Sequence, residues 1–260
     1  MKKCLAISIG ALMLALAAPS LLPAQTAPAG EAKKAPPAPP RDLTGIWDPG
    51  NAGLQVMGPG KMRARFTPYG EELFKANKPG RGFTEVPVAD ANDPNDSCDP
   101  SGFPRNEMYE LRPVQIVQTK SQILMLYQFN KIWRVIWTDG RPLPKDHEPT
   151  WYGYSVGHWE NDDTFVVDTA GFTETTWLDN AGDPHSSDMR VQERFHRLDR
   201  DTLELSITID DPKVYQKPWT GTDKLILKLQ PANTELLEMI CVPTEMELYK
   251  KIIANPAAGK

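Results

Sequence analysis

From residue 114 onward the chain repeats one unit, an apolar run of strand length followed by a turn signal. VQIVQ (114–118) leads through TKSQ into ILMLYQF (123–129), and KIWRVIWT (131–138) stops at Asp139-Gly140, a strong tight-turn pair. DDTFVVDT (162–169), MRVQERFHRL (189–198), TLELSITID (202–210), KLILKLQ (224–230) and TELLEMICV (234–242) complete the series. In 202–210, Leu203, Leu205, Ile207 and Ile209 alternate with Glu204, Ser206 and Thr208, and Leu225, Leu227 and Leu229 repeat the pattern. Successive side chains of a strand point to opposite faces, so this alternation marks half-buried antiparallel strands. Proline (25 residues) and glycine (18) are spread throughout, which leaves few segments free to build a long helical period. Residues 69–77 and 244–255 are the exceptions. The second opens on Thr244 with Glu247 three residues later, a capping box. Consecutive strands joined by short turns form a meander, and about eight of them close into a barrel or a sandwich. The expected fold is all-β: an up-and-down antiparallel β-barrel with a C-terminal helix.

The opening of the chain differs in kind. Lys2 and Lys3 precede an apolar run over residues 5–18, and small residues with cleavage points after Ala17 or Ala24 follow it. That is the order of an export signal. The run falls short of the roughly 20 residues a membrane span needs. We therefore expect a leader over 1–24, a Pro/Ala-rich linker over 25–41 that cannot build a core, and one barrel domain over 42–260. The expected location is periplasmic or secreted, with no integral membrane association after cleavage. A net charge of −5 without any basic run argues against nucleic acid. Beyond the leader, two cysteines remain, Cys98 and Cys241. In an oxidising compartment they are a disulfide candidate, with two independent thiols as the alternative. They are too few and too far apart for a zinc site.

Gly153-Tyr154-Ser155-Val156-Gly157 has the G-x-S-x-G spacing of a hydrolase nucleophile elbow. An elbow sits between a strand and a helix, whereas here HWENDDTFVVDT leads through an Asn-Asp turn into another strand. Small residues alternating with aromatics instead let a strand bend, or let a bulky group lie against it. Ser155 is expected to belong to a curved barrel strand.

The segments LTGIWDP, CDPSGFPRNEMYELRPVQIVQT, WTDGRPLPKDHEPTWYGYSVGHWENDDTFVVDT, TWLDNAGDPHSSDMRVQERFHRLDRDTLELSITIDDPKVYQKPW and LLEMICVPTEME together resemble a family of exported bacterial proteins common in acidobacteria and sphingomonads. The resemblance spans essentially the whole domain after the linker; His158 departs from it, standing where Arg or Lys is expected. Gly45-Ile46-Trp47 is similar to the first strand of lipocalin-like (calycin) barrels. For some similar proteins the resemblance implies cofactor-independent lyase chemistry on lignin-type aromatic compounds.

Chemistry is expected where charge falls on an apolar face. Glu193 shares its face with Met189, Val191 and Phe195, and Arg134 stands between Ile132 and Ile136. A carboxylate so placed is either ion-paired or has a raised pKa suited to acid–base work. Facing a cavity, Glu193 would be the base or acid, Arg134 the group that holds an anion, and His185, in the loop GDPHSSDMR, their partner. Paired with each other, Glu193 and Arg134 would only tie the barrel together. Asp168 is a weaker case of the same kind. Trp151, Tyr152 and Tyr154 belong to an aromatic-rich central third, and Tyr215 and Trp219, in one long connection, offer stacking surfaces for a ring. The four histidines lack metal-ligand spacing. The Asp/Asn-rich stretch 90–99 lacks the Gly and Glu of a calcium loop and reads as Asx turns. The expectation is a lyase or isomerase without metal or cofactor, acting on a bulky hydrophobic or aromatic small molecule. The alternative is a lipocalin-like periplasmic binding protein, which needs only an apolar pocket.

Overall fold

The computed structural model describes residues 36–51, 63–80, 84–109 and 111–254. The expected leader and residues 25–35 of the linker lie outside them. Nine strands form a closed barrel in chain order: β1 (Gly45–Asp48), β2 (Val114–Gln118), β3 (Gln122–Tyr127), β4 (Trp133–Trp137), β5 (Tyr154–Trp159), β6 (Thr164–Ala170), β7 (Arg190–Asp199), β8 (Thr202–Asp210) and β9 (Trp219–Leu229). The all-β barrel expected from the alternation is present, and β2 and β8 keep their expected bounds.

Every neighbouring pair is antiparallel except β4 and β5, where Ile136 faces Ser155 and Trp137 faces Val156 in parallel register. Parity requires this. Directions that alternate around a closed ring need an even number of strands, so nine strands force one parallel pair. A parallel pair also needs a long crossover, and residues 138–153 provide it, with Pro142, Pro144 and Pro149 keeping that segment out of the sheet. The register then sorts the connections. The short turns β2–β3, β5–β6 and β7–β8 fall at one end of the barrel. The connections β1–β2, β3–β4, β6–β7 and β8–β9 fall at the other end, the rim, and the β4–β5 crossover runs from the turn end back toward it.

The last expected strand does not form. TELLEMICV leaves only an isolated bridge between Met239 and Phe129, and Leu237 stays exposed. The reason is closure: Trp47 of β1 already pairs with Leu229 of β9, so no free edge remains for a further strand. The segment instead runs outside the barrel, held by Leu237 N donating to Gln128 Oε1 at 3.2 Å and Asn130 N donating to Met239 O at 2.6 Å. It ends in a disulfide between Cys98 and Cys241 that closes a loop of sequence separation 143.

Three α-helices are described: α1 (Pro68–Ala76), α2 (Arg105–Met108) and α3 (Pro243–Tyr249). Thr67 caps α1, accepting from Gly70 N at 3.1 Å. The expected capping box at Thr244 is absent; the N-cap is Val242 without a side-chain bond. Pro243 takes the first helical position, for which its fixed φ and missing N–H suit it, and so draws Thr244 inside the helix. None of α3's residues is buried, whereas all four residues of α2 are.

The inward faces build the core. Leu203, Leu205, Ile207 and Ile209 are all buried, as are Met189, Val191, Glu193 and Phe195. The glycines of G-x-S-x-G serve this packing. A Cβ on Gly157 would collide with the Phe165 ring and stand 3.0 Å from Ile136 Cγ2. Gly153 has φ +63°, and a Cβ there would lie 2.7 Å from Phe172 Cε1. Gly157→Ala is expected to cost about 1–3 kcal/mol by overpacking, read as a lower denaturant midpoint with unchanged slope.

Candidate functional site

The top of the barrel interior holds a polar cluster drawn from consecutive strands. Arg134 (β4) donates from Nη1 to Glu193 Oε1 at 2.9 Å and from Nη2 to Glu193 Oε2 at 2.5 Å, a bidentate pair across to β7. Its Nε donates to Ser155 Oγ (β5) at 3.0 Å, and its Nη2 to Thr169 Oγ1 (β6) at 2.8 Å. From above, α2 lowers Glu107, whose Oε1 accepts from Arg134 Nη1 at 3.2 Å and from the hydroxyl of Tyr127 (β3). The Phe103 ring lies 3.8 Å from the guanidinium carbon. Glu193 is fully buried and Arg134 nearly so.

One guanidinium thus faces two carboxyl groups. Burial, then the charge of Glu193, pushes Glu107 well above the usual carboxylate range, while Arg134 and the Tyr127 hydroxyl pull the other way. Burial and the Glu107 charge likewise push Tyr127 up. Burial alone would lower Arg134, but the charge and hydrogen bonds of Glu193 raise it above its ordinary value. One guanidinium cannot compensate two ionised carboxylates in a low-dielectric interior, which is why the Glu107 carboxyl holds its proton more tightly than an ordinary glutamate. Ser155 is a strut within this network. Its hydroxyl also meets Thr169 Oγ1 at 3.0 Å, and the serine is 1% exposed.

His185 lies elsewhere. It is 3% exposed, packed inside the rim loop of residues 171–189 rather than presented at an open mouth. Its Nε2 meets Thr176 Oγ1 at 2.6 Å, and its ring stands edge-on to Phe172. Burial lowers its pKa, so the imidazole is neutral at pH 7. Phe172 in turn stacks on Phe103 at 6.1 Å, so His185 and the Arg134 cluster are neighbours through rings and not through hydrogen bonds.

The aromatic candidates separate. Tyr215 is buried, its hydroxyl donating to Pro184 O at 2.9 Å and its ring 5.2 Å from that of Trp219. Trp219 is buried as well, so both are packed into the protein rather than presented as open faces. Trp151 is half-buried, its carbonyl accepting from Phe103 N at 3.0 Å. Tyr152 packs partly buried against the core, which raises its pKa by burial. Tyr154 starts β5, its hydroxyl accepting from Arg141 Nη1 at 3.0 Å. Asp168 accepts from Gln192 Nε2 at 3.0 Å in an outer groove of about 440 Å³.

Two features of the rim were not legible in the sequence. The first is Asp179 and Asp183, buried in the loop that carries His185. Asp179 Oδ1 accepts from Ala181 N at 3.0 Å and from Asp183 N at 3.1 Å. Asp183 is pushed up to about 7 by burial and then by the charge of Asp179, with Arg63 Nη1, 3.2 Å away, opposing. The second is a cleft of about 690 Å³ between the rim and the outer C-terminal segment. Phe129, Met239, Met246 and Tyr249 give it apolar walls, Cys241 brings the disulfide to its edge, and Arg112 and Asn180 supply polar groups. Arg134, Glu193, Glu107 and Ser155 line neither this cleft nor the outer groove.

No family model, no curated protein and no solved structure matches this chain. Among the described residues no group of three or more His, Cys, Asp or Glu side chains could hold a metal ion. No helix there is long and apolar enough to cross a membrane.

Proposed function

We propose that this protein is a lipocalin-like binding protein for a hydrophobic or aromatic small molecule, held at the rim rather than inside the barrel. The observation that carries this reading is the cleft of about 690 Å³, a volume in the range of small-molecule sites, lined by aromatic, aliphatic and thioether side chains and by nearly as many charged and amide ones. The barrel interior offers a ligand much less. Its inward faces are filled by packed side chains, and Arg134 and Glu193 are engaged with each other. The disulfide supports an oxidising compartment, hence an exported carrier.

A second reading, a lyase or isomerase using Glu193, is favoured by Glu107. A buried carboxyl group whose proton is held more tightly than usual, beside a tyrosine hydroxyl, suits proton donation, although Glu107 lies buried on α2 with no open path to it among the described clefts. One experiment separates the two. The protein and its Glu193→Gln variant are titrated with lignin-type aromatic dimers by tryptophan fluorescence, and products are followed by mass spectrometry. Binding by the wild type with the ligand recovered unchanged is the expected result. Turnover by the wild type that Glu193→Gln abolishes while binding persists would establish the enzyme instead.

A further inference from the structure

Arginines in this molecule follow a rule with one exception. Among the described residues, each other buried or half-buried arginine faces a carboxylate. Arg105 binds both oxygens of Asp93 at 2.8 Å, Arg134 binds Glu193, Arg194 binds Glu160 at 2.5 Å, and Arg197 lies 3.7 Å from Asp42. Arg112 is half-buried in the cleft wall with no such partner, and its Nε is buried without any hydrogen bond. Arg65 and Arg190 also lack an ion pair, but both are exposed to water. A guanidinium partly withdrawn from water and left uncompensated is costly unless an anion joins it.

A second observation points into the same cleft. Asn180 is 5% exposed; its Nδ2 donates to the Tyr109 hydroxyl at 2.8 Å, while its Oδ1 has no hydrogen-bond partner. Buried polar atoms are rarely left so unless a water or ligand completes them. Among the described residues the charged lining also leans positive. Arg105, Arg112 and Lys250 stand against Asp93 and Asp96, and the Arg105–Asp93 pair cancels itself.

Building on the binding-protein reading, we infer that the cleft takes a carboxylate with an apolar, ring-bearing body. Its carboxylate pairs with Arg112, and its body lies against Phe129, Met239, Met246 and Tyr249. A guanidinium presents parallel N–H groups that match the two carboxylate oxygens. Rings and thioethers supply the contact surface for the rest.

The test is calorimetric titration of the disulfide-bonded protein with 2-naphthoate, its neutral counterpart 2-naphthalenemethanol, and decanoate. 2-Naphthoate should bind at least about 10-fold more tightly than the alcohol. Arg112→Gln should remove that advantage and leave the alcohol unaffected. Because Arg112 makes no bond to a described residue, the variant is expected to fold, which the melting curve verifies. Decanoate distinguishes an aliphatic from a ring-bearing body, and binding of either carboxylate through Arg112 supports the pairing. Equal affinity of naphthoate and alcohol, or naphthoate binding unchanged in Arg112→Gln, overturns the carboxylate assignment while leaving the cleft as a binding site. Binding of none of the three overturns the binding-protein reading itself.

Discussion

Arg134→Met is expected to lower the unfolding free energy by about 3–5 kcal/mol, because it leaves the Glu193 carboxylate buried without its counter-charge. The substitution keeps an unbranched apolar side chain and removes the guanidinium, which lies over Phe103 and reaches Glu193, Ser155 and Thr169. The informative comparison is the double variant Arg134→Met with Glu193→Leu. Removing both charges together removes the desolvation cost along with the pair, so the double variant should be more stable than Arg134→Met alone. Denaturant midpoints of the wild type, both single variants and the double variant measure the coupling. If Arg134→Met costs no more than a surface substitution, the cluster is not the tie it is argued to be. The same cycle bears on function. A pair kept for structure should be replaceable with ligand binding at the rim retained.

The pH dependence of stability should run opposite to ordinary acid denaturation over part of its range. Asp183 has a folded pKa of about 7 against an ordinary value of 3.8. Below pH 4 the group is protonated in both states and adds no pH dependence. Between pH 4 and 7 the unfolded chain releases the proton while the folded chain holds it, so stability falls as pH rises. Above pH 7 both states are ionised and the contribution is lost. The shift corresponds to about 4 kcal/mol across this window. Asp179 and Glu107 are shifted in the same direction, Asp179 first by burial and Glu107 first by burial as well. Asp183→Asn should therefore flatten the decline, leaving the variant more stable than the wild type at pH 8 and about equal to it at pH 4. Melting temperatures at intervals across pH 4–8 check this. A wild-type curve that rises through this window would show that Asp183 is ionised in the fold.

How much of this was legible in the sequence follows from the range of the interactions involved. Alternation located β8 at 202–210 and assigned Leu203 through Ile209 to the buried face, because period two is a property of a single strand. The same rule placed Glu193 and Arg134 indoors, since a charge between two inward apolar neighbours has nowhere else to point. That they bind each other is a matter of register across the barrel, and no local pattern encodes it. TELLEMICV misled for a related reason. Its residues suit a strand, but β9 had already closed on β1, so a good strand former had no edge to join.

The candidate site divides along the same line. Composition and alternation determined an all-β barrel, the inward faces of its longest strands, and the architectural role of Gly153 and Gly157, because each depends on near neighbours along the chain. Tertiary structure alone decided that Tyr215 and Trp219 are packed inside, that His185 is a neutral, buried imidazole, and that Glu107 completes the Arg134 cluster from a four-residue helix with no readable period. It also brought Arg112, Asn180 and Met239 to one cleft from three distant segments. The physical reason is that hydrophobic alternation is written residue by residue, whereas pairing, closure and burial of charge depend on which segments meet, and that is settled only when the barrel closes.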